Sequence, residues 1–287
     1  MSVRLERRSI FQELSTGKTM FEKICSATSR MLCIIVVSLL LLPILALAQT
    51  FTHVHLRVPD TNQVAQWYQT LLGGEFRPGG MASVRYDNGF VGTMLDESNA
   101  ASSAGSVIDH FGFSVSDVAG KVALALSVGA EIVSEQREGI TTGTRAVVQD
   151  PWGTSFELIE DSEYPGIHHV HMVSQEPEVL RDWFLDIFGG EYHAERGAGE
   201  IHSIRYDGIW VNISEVGVSA APSRGRSLDH MGFRVDDMEA LVEKIKSTGY
   251  EPHEMRPANP TSTTLLMFFE GADGIHFEIA QPGGVTP

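Results

Sequence analysis

Cysteine is nearly absent: only Cys25 and Cys33 occur in 287 residues, and both lie before residue 49. The remainder of the chain therefore has no disulfide, no zinc-thiolate site and no cysteine nucleophile, so any catalysis there falls to other groups. Basic charge is scarce as well. Beyond residue 48 there are 15 Lys and Arg against 34 Asp and Glu, a net of about −19 with histidine neutral. Such a surface repels a polyanion, which argues against nucleic acid as a partner. Glycine, proline and total charge are near ordinary levels and 43% of residues are hydrophobic, enough to bury a core or two.

The first 48 residues differ in kind. They are polar and basic up to Arg30, then run MLCIIVVSLLLLPILALA to Ala48. An apolar stretch ending in Ala46-Leu47-Ala48 reads as a secretory signal peptide over 1–48, with export to a periplasmic or extracellular compartment. The run is nearly long enough to span a bilayer, but Pro43 and the small residues at the cleavage position favour removal over a retained anchor. Met20 offers a more ordinary start, with Lys23 and Arg30 as the basic region.

What the chain has in abundance is internal repetition. Residues 51–76 align with 167–192 without a gap, placing HVH on HVH and LLGGEF on IFGGEY. SVRYD returns as SIRYD, DHFGFSVSD as DHMGFRVDD, and FELIE as FEIAQ. Two copies follow, over 49–162 and 163–287, each the usual size of a domain. A shorter unit is nested inside each copy: a strand-borne histidine followed seven residues later by an acid, as in His53 to Asp60, His110 to Asp117, His169 to Glu176 and His230 to Asp237. The acid is a suitable helix N-cap, apolar residues recur at helical spacing after it, and Gly73-Gly74, Gly129, Gly189-Gly190 and Gly249 stand where the helices should stop. Short strands rich in Val, Ile, Phe and Thr come next, so each of four modules predicts one strand, one helix and about three strands.

Period-2 alternation places His53, His55 and Arg57 on one face of the first strand and Val54, Leu56 and Val58 on the other. The apolar face meets the helix, which leaves the histidines in the concavity of the sheet. The same geometry applies to His169 and His171, to His110 with Gly112, and to His230 with Gly232. In the last strand of each copy, Glu157 and Glu278 face the same side. Two histidines and a glutamate, separated by 57 and 47 residues in one copy and by 61 and 48 in the other, form a set suited to iron(II), manganese or a catalytic zinc. Only the first histidine of HVH recurs in all four modules, so His53 and His169 are the better ligands. His55 and His171, with His276, are the candidates for acid–base contact with a substrate.

These residues carry a resemblance. HVHLRVPD…WYQTLLGGEF, DHFGFSVSD, DPWGTSFELIE and their second copies are similar to the vicinal oxygen chelate superfamily, also called the glyoxalase/bleomycin resistance/extradiol dioxygenase superfamily, over residues 51 to about 281. The resemblance implies an α+β fold in which βαβββ modules pair into two cupped-sheet domains, with ligands on first and last strands. Carried over by position, His53, His110 and Glu157 would serve one cup and His169, His230 and Glu278 the other. Whether the cups form within each copy or by exchange of modules is open in the sequence, and exchange would give His53 different partners. A divalent metal is implied, iron(II) first, with manganese, zinc or nickel as alternatives. A small oxygen-rich or aromatic substrate would bind through two vicinal oxygens, and a homodimer is compatible with the pattern. Glyoxalase I-like members have a fourth ligand, usually glutamate, where this chain has Thr93 and Ile213. The three-ligand set agrees better with extradiol dioxygenases, although TTGTRAVVQDP and TSTTLLMFFEG lack the further histidine and tyrosine of that group. A glyoxalase-like lyase or isomerase, a thiol transferase and a non-catalytic binding protein are the competing expectations.

Overall fold

The structure, a computed structural model, describes residues 49–98 and 100–284; the leader reading at 1–48 lies outside the described residues. Four modules of one strand, one helix and three strands follow one another. The first comprises β1 (Thr50–Val58), α1 (Thr61–Leu72), β2 (Glu75–Arg77), β3 (Ser83–Tyr86) and β4 (Gly89–Leu95). The second has β5 (Ile108–Ser114), α2 (Val118–Ser127), β6 (Glu131–Glu138), β7 (Thr144–Gln149) and β8 (Ser155–Ile159). The third has β9 (Gly166–Ser174), α3 (Pro177–Phe188), β10 (Glu191–Gly197), β11 (Ile201–Tyr206) and β12 (Ile209–Glu215). The fourth has β13 (Leu228–Arg234), α4 (Met238–Ser247), β14 (Pro252–Pro257), β15 (Leu265–Glu270) and β16 (His276–Gln281).

The helices begin where the acids stand. The carboxylates of Asp60, Asp117 and Asp237 accept backbone N–H bonds at the first turn of α1, α2 and α4. Glu176 makes no such bond, its side chain being one methylene longer than the usual cap; Pro177 opens α3 instead. At the far ends Gly73 and Gly189 take positive φ of 78° and 68°, which a side chain would oppose.

Modules exchange partners to make the sheets. One eight-stranded sheet runs β14-β15-β16-β13-β1-β4-β3-β2 and joins the first and fourth modules; the other runs β10-β11-β12-β9-β5-β8-β7-β6 and joins the second and third. They are called cup I and cup II below. The halves 49–162 and 163–287 are thus each divided between both cups. What each half keeps in common is the apolar side. Tyr68 of α1 packs on Phe111 and Phe156 of the second module at 6.0 and 5.7 Å between ring centroids, and Phe188 of α3 stacks on Phe233 of the fourth at 4.7 Å. Trp67 and Trp183 are partly buried against this apolar core, and Trp152 meets Trp67 edge-on at 5.9 Å.

Candidate metal centres

Register decides which histidines meet. In cup I, β1 and β13 pair antiparallel with His53 opposite Gly232 and His55 opposite His230. Strand β16 lies parallel to β13 with Glu278 beside Gly232. Cup II repeats the scheme: His169 lies opposite Gly112, His171 opposite His110, and Glu157 beside Gly112. A histidine-x-histidine strand therefore always faces a glycine-x-histidine strand. The glycine is a steric necessity: a Cβ on Gly232 would lie 2.1 Å from the His53 ring, and one on Gly112 would lie 2.1 Å from the His169 ring. A Cβ on Gly92 of β4 would likewise fall 2.3 Å from His55.

The two ligand sets carried over by position are therefore corrected. Cup I brings together His53, His55, His230 and Glu278; cup II brings together His110, His169, His171 and Glu157. His53 does not meet His110 or Glu157, nor does His169 meet His230 or Glu278, because β1 and β9 pair with strands of the opposite half.

In cup I one nitrogen from each of His53, His55 and His230 and one oxygen of Glu278 lie within 4.8 Å of one another. Glu278 Oε2 stands 3.8 Å from His53 Nε2, 3.8 Å from His55 Nδ1 and 3.4 Å from His230 Nε2. His55 Nδ1 and His230 Nε2 share a hydrogen bond of 2.8 Å. Donors about 2.0–2.2 Å from a common ion are spaced at such separations. His53 Nε2 is buried without a hydrogen-bond partner, a cost that a metal on that nitrogen would remove. Burial pushes His53 down to about 4 and His55 well below its ordinary value, so both rings are neutral near pH 7, as coordination requires. Burial would raise Glu278, but the neighbouring His230 and His53 rings hold it below the usual carboxylate range. These residues fit a divalent metal.

Behind this set lies Asp229, fully buried. His230 Nδ1 and His276 Nδ1 donate to its Oδ1 at 2.6 and 2.8 Å, and Arg57 Nε and the Gly225 N–H donate to its Oδ2, both at 2.6 Å. Burial opposes its ionisation, yet His230, His276 and Arg57 hold it well below the usual carboxylate range. A carboxylate on the far nitrogen of a ligand imidazole fixes tautomer and ring orientation. Two of the four donors, His230 and Glu278, line a cavity of about 290 Å³ together with His276, Phe268, Leu266, Arg224 and Arg256.

Cup II has the same imidazoles in different company. His110 Nε2 lies 3.5 Å from His169 Nε2 and 3.9 Å from Glu157 Oε2, and its Nδ1 donates to Asp109 at 2.7 Å. Burial holds His171 down to about 3 and His169 well below its ordinary value. His169 Nδ1 is bonded to His168 Nδ1 at 2.8 Å, and His168 Nε2 to Asp161 at 3.1 Å. His171 turns its Nε2 to Ser214 at 2.8 Å. Arg145 on β7 reaches across and hydrogen-bonds Glu157 Oε2. Glu157 accordingly drops out of the convergent group, which is His110, His169 and His171.

Sequence reasoning placed His55 beside the substrate rather than among the donors, put Arg57 on the concave face without a role, and did not find Asp229 or Arg145. A signal for the first was present: an aspartate directly precedes the histidine in both DHFGF and DHMGF. Arg145 carried none, since its reach to Glu157 depends on strand pairing across β7 and β8.

Paired βαβββ modules with imidazoles and a carboxylate at the floor of each cup define a protein of the cupped-sheet class with candidate metal centres. A glyoxalase-like domain matches residues 53–159, and the glyoxalase/bleomycin resistance protein/dioxygenase superfamily matches residues 166–279. The chain belongs to the vicinal oxygen chelate superfamily, as a tandem member. Among solved structures, glyoxalase I from Zea mays is similar at 18% identity, covering 81% of this chain and 92% of that one, with a TM-score of 0.63. A mutant form of the same maize enzyme gives 18%, 82%, 94% and 0.65. A Bacillus subtilis protein proposed to be a dioxygenase gives 17% identity, 81% and 84% coverage, and a TM-score of 0.58. At such identities the likeness shows the fold. No curated protein matches the chain.

Proposed function

We propose that the chain is a divalent-metal-dependent enzyme whose centre in cup I binds a small substrate through two vicinal oxygens. The observation that carries this reading is the convergence of three imidazoles and one carboxylate beside a cavity, with His53 Nε2 left unpartnered. His53, His55, His230 and Glu278 hold the ion. When bound, the metal polarises the two substrate oxygens as a Lewis acid.

The chain's own groups supply the rest. Asp229 orients His230 towards the centre and holds His276 by its Nδ1–H. His276 Nε2, buried and without a partner on a ring that lines the cavity, is placed to accept a substrate proton, the task that Thr93 leaves without its expected glutamate. Arg224 and Arg256 at the cavity suit an anionic substituent, while Leu266 and Phe268 give it an apolar wall and limit water. Four protein donors would hold the metal and would leave room on it for the two vicinal oxygens of the substrate. This favours proton-transfer chemistry, an isomerase or lyase reaction, over dioxygen activation. An extradiol-dioxygenase-like reaction is the second reading. It is supported by the recurrence of only the first histidine of HVH in all four modules, which would leave His55 off the metal and His53, His230 and Glu278 as a two-histidine, one-carboxylate set for iron(II). Export, read from the leader, places the reaction outside the cytoplasm in this proposal.

Protein purified without oxygen, stripped and reloaded separately with iron(II), manganese, zinc and nickel, tests the reading. Expected are bound metal, a metal-dependent rise in melting temperature, and solvent-deuterium exchange into 2-hydroxycarbonyl compounds followed by NMR. Oxygen uptake with catechols in place of that exchange would transfer the assignment to the second reading. No bound metal and no thermal shift with any ion would overturn both.

A further inference from the structure

Four features separate the two centres. Arg145 stands two residues before Val147, the partner of Glu157 across β7 and β8, and its guanidinium is bonded to that carboxylate. By the same register the position in cup I is Leu266, two residues before Phe268, the partner of Glu278. The nearest counterpart in cup I, Arg256, is directed to Glu254 at 2.6 Å. Among the described residues, buried polar atoms without a partner include His53 Nε2 and His276 Nε2 in cup I, but none from His110, His169, His171 or Glu157.

We propose that the Arg145 guanidinium is the resident cation of cup II, holding Glu157 where a metal would otherwise take it, so that the chain carries one metal, in cup I. A divalent ion approaching Glu157 meets a like charge already hydrogen-bonded to the one anionic ligand, while the three imidazoles bring no negative charge to offset that repulsion. Arg145 cannot relieve the conflict by losing its proton, since guanidinium stays charged in proteins. Of the imidazoles, His171 gives its Nε2 to Ser214, whereas His110 and His169 are bonded through Nδ1 and keep Nε2 towards the cup, so the block lies at Glu157. Among the described residues no guanidinium is hydrogen-bonded to Glu278; the Arg256 charge acts on it, but Arg256 Nε is bonded to Glu254. The inference rests on the proposed metal in cup I only for the count of one; the exclusion from cup II stands on its own.

The test is metal stoichiometry on the full chain, by elemental analysis and by cobalt(II) titration followed in the visible spectrum. Expected are one ion per chain in the wild type, none in Glu278→Gln, and one in Glu157→Gln. Arg145→Leu, which gives cup II the residue that cup I has, should raise the count to two, and Arg145→Met serves if the leucine variant misfolds by circular dichroism. Two ions per wild-type chain, or one ion lost in Glu157→Gln and kept in Glu278→Gln, would overturn this inference while leaving a metal enzyme in place. None in the wild type but one in Arg145→Leu would support the arginine's role and overturn the cup I centre instead. No gain in either well-folded Arg145 variant would count against the arginine.

Discussion

Gly232→Ala tests whether the glycine opposite each histidine makes room for the centre. The new Cβ would lie 2.1 Å from His53 Cε1 and 2.4 Å from its Nδ1. Ordinary carbon contacts are about 3.5–4.0 Å, so the ring must retreat by about 1.4 Å or more. It has nowhere to go: His53 is stacked on Phe90 at 4.5 Å between centroids and flanked by His55 at 4.5 Å, with 2% of its surface exposed. Overpacking of this kind costs about 1–3 kcal/mol, and at this size roughly 2–4 °C per kcal/mol puts the fall in Tm at about 2–12 °C. Displacing a donor should also weaken metal binding by at least about 10-fold. Calorimetry of the metal-free protein and a metal titration read the two effects separately. Gly217→Ala, where a Cβ meets nothing within 4 Å, is the control and should change neither. Gly112→Ala crowds His169 equally and should lower Tm without changing metal binding, because cup II holds none. Wild-type Tm and affinity in Gly232→Ala would refute the steric reading of the glycine.

Asp229→Asn removes an ionised acceptor shared by His230, His276 and Arg57 and leaves that guanidinium without its buried partner. It should lower metal affinity about 10–100-fold and stability by about 3–5 kcal/mol, read by metal titration and urea unfolding; an unchanged affinity would show that the carboxylate does not orient His230. His276→Asn should keep the metal count and lose about 10²–10⁴-fold in proton exchange; full exchange in that variant would remove His276 from the chemistry. For metal-free protein, His53 binds its proton at about 6.5 when unfolded and at about 4 when folded. The unfolded state therefore holds more protons between those values, and the stability associated with neutral His53 is complete above pH 6.5 and lost as the pH falls towards 4, by about 3 kcal/mol. His230, raised by its bonds to Asp229 and Glu278 despite burial, acts in the opposite sense, contributing below pH 6.5 and fading as the pH rises through its folded value. Urea midpoints at pH 5 and 7 for the wild type and His53→Phe should show the pH 5 penalty shrinking in the variant.

Much of this was legible because it is local. Strand alternation placed the histidines in the cups, the acid seven residues after each module's histidine placed three of the four helix caps, and the glycines placed the helix ends. The repeat itself identified four modules. What was not legible is the choice of partner strand. Within either half, β1 could pair with β5, or β9 with β13, in the same register of histidine-x-histidine against glycine-x-histidine. The residues that face one another would be of the same types, so no local pattern distinguishes the arrangements. The deciding contacts lie on the opposite, apolar side, where Tyr68 meets Phe111 and Phe156 and holds the modules of one half together through their helices.

That division of labour has a consequence for the site. Packing through the helices binds modules within a half, whereas the concave faces that carry the imidazoles join modules from different halves. Neither 49–162 nor 163–287 contains a complete donor set: the first half gives His53 and His55 to cup I, and the second gives it His230 and Glu278. A change in the apolar core of one half thus reaches both centres, while a change on one concave face reaches only its own. The two centres share a register to the residue, so their difference must lie in side chains rather than in backbone. The pair Arg145 and Leu266 is where that difference touches the carboxylate ligand directly, placing a fixed positive charge against Glu157 and a neutral side chain at the corresponding strand position near Glu278.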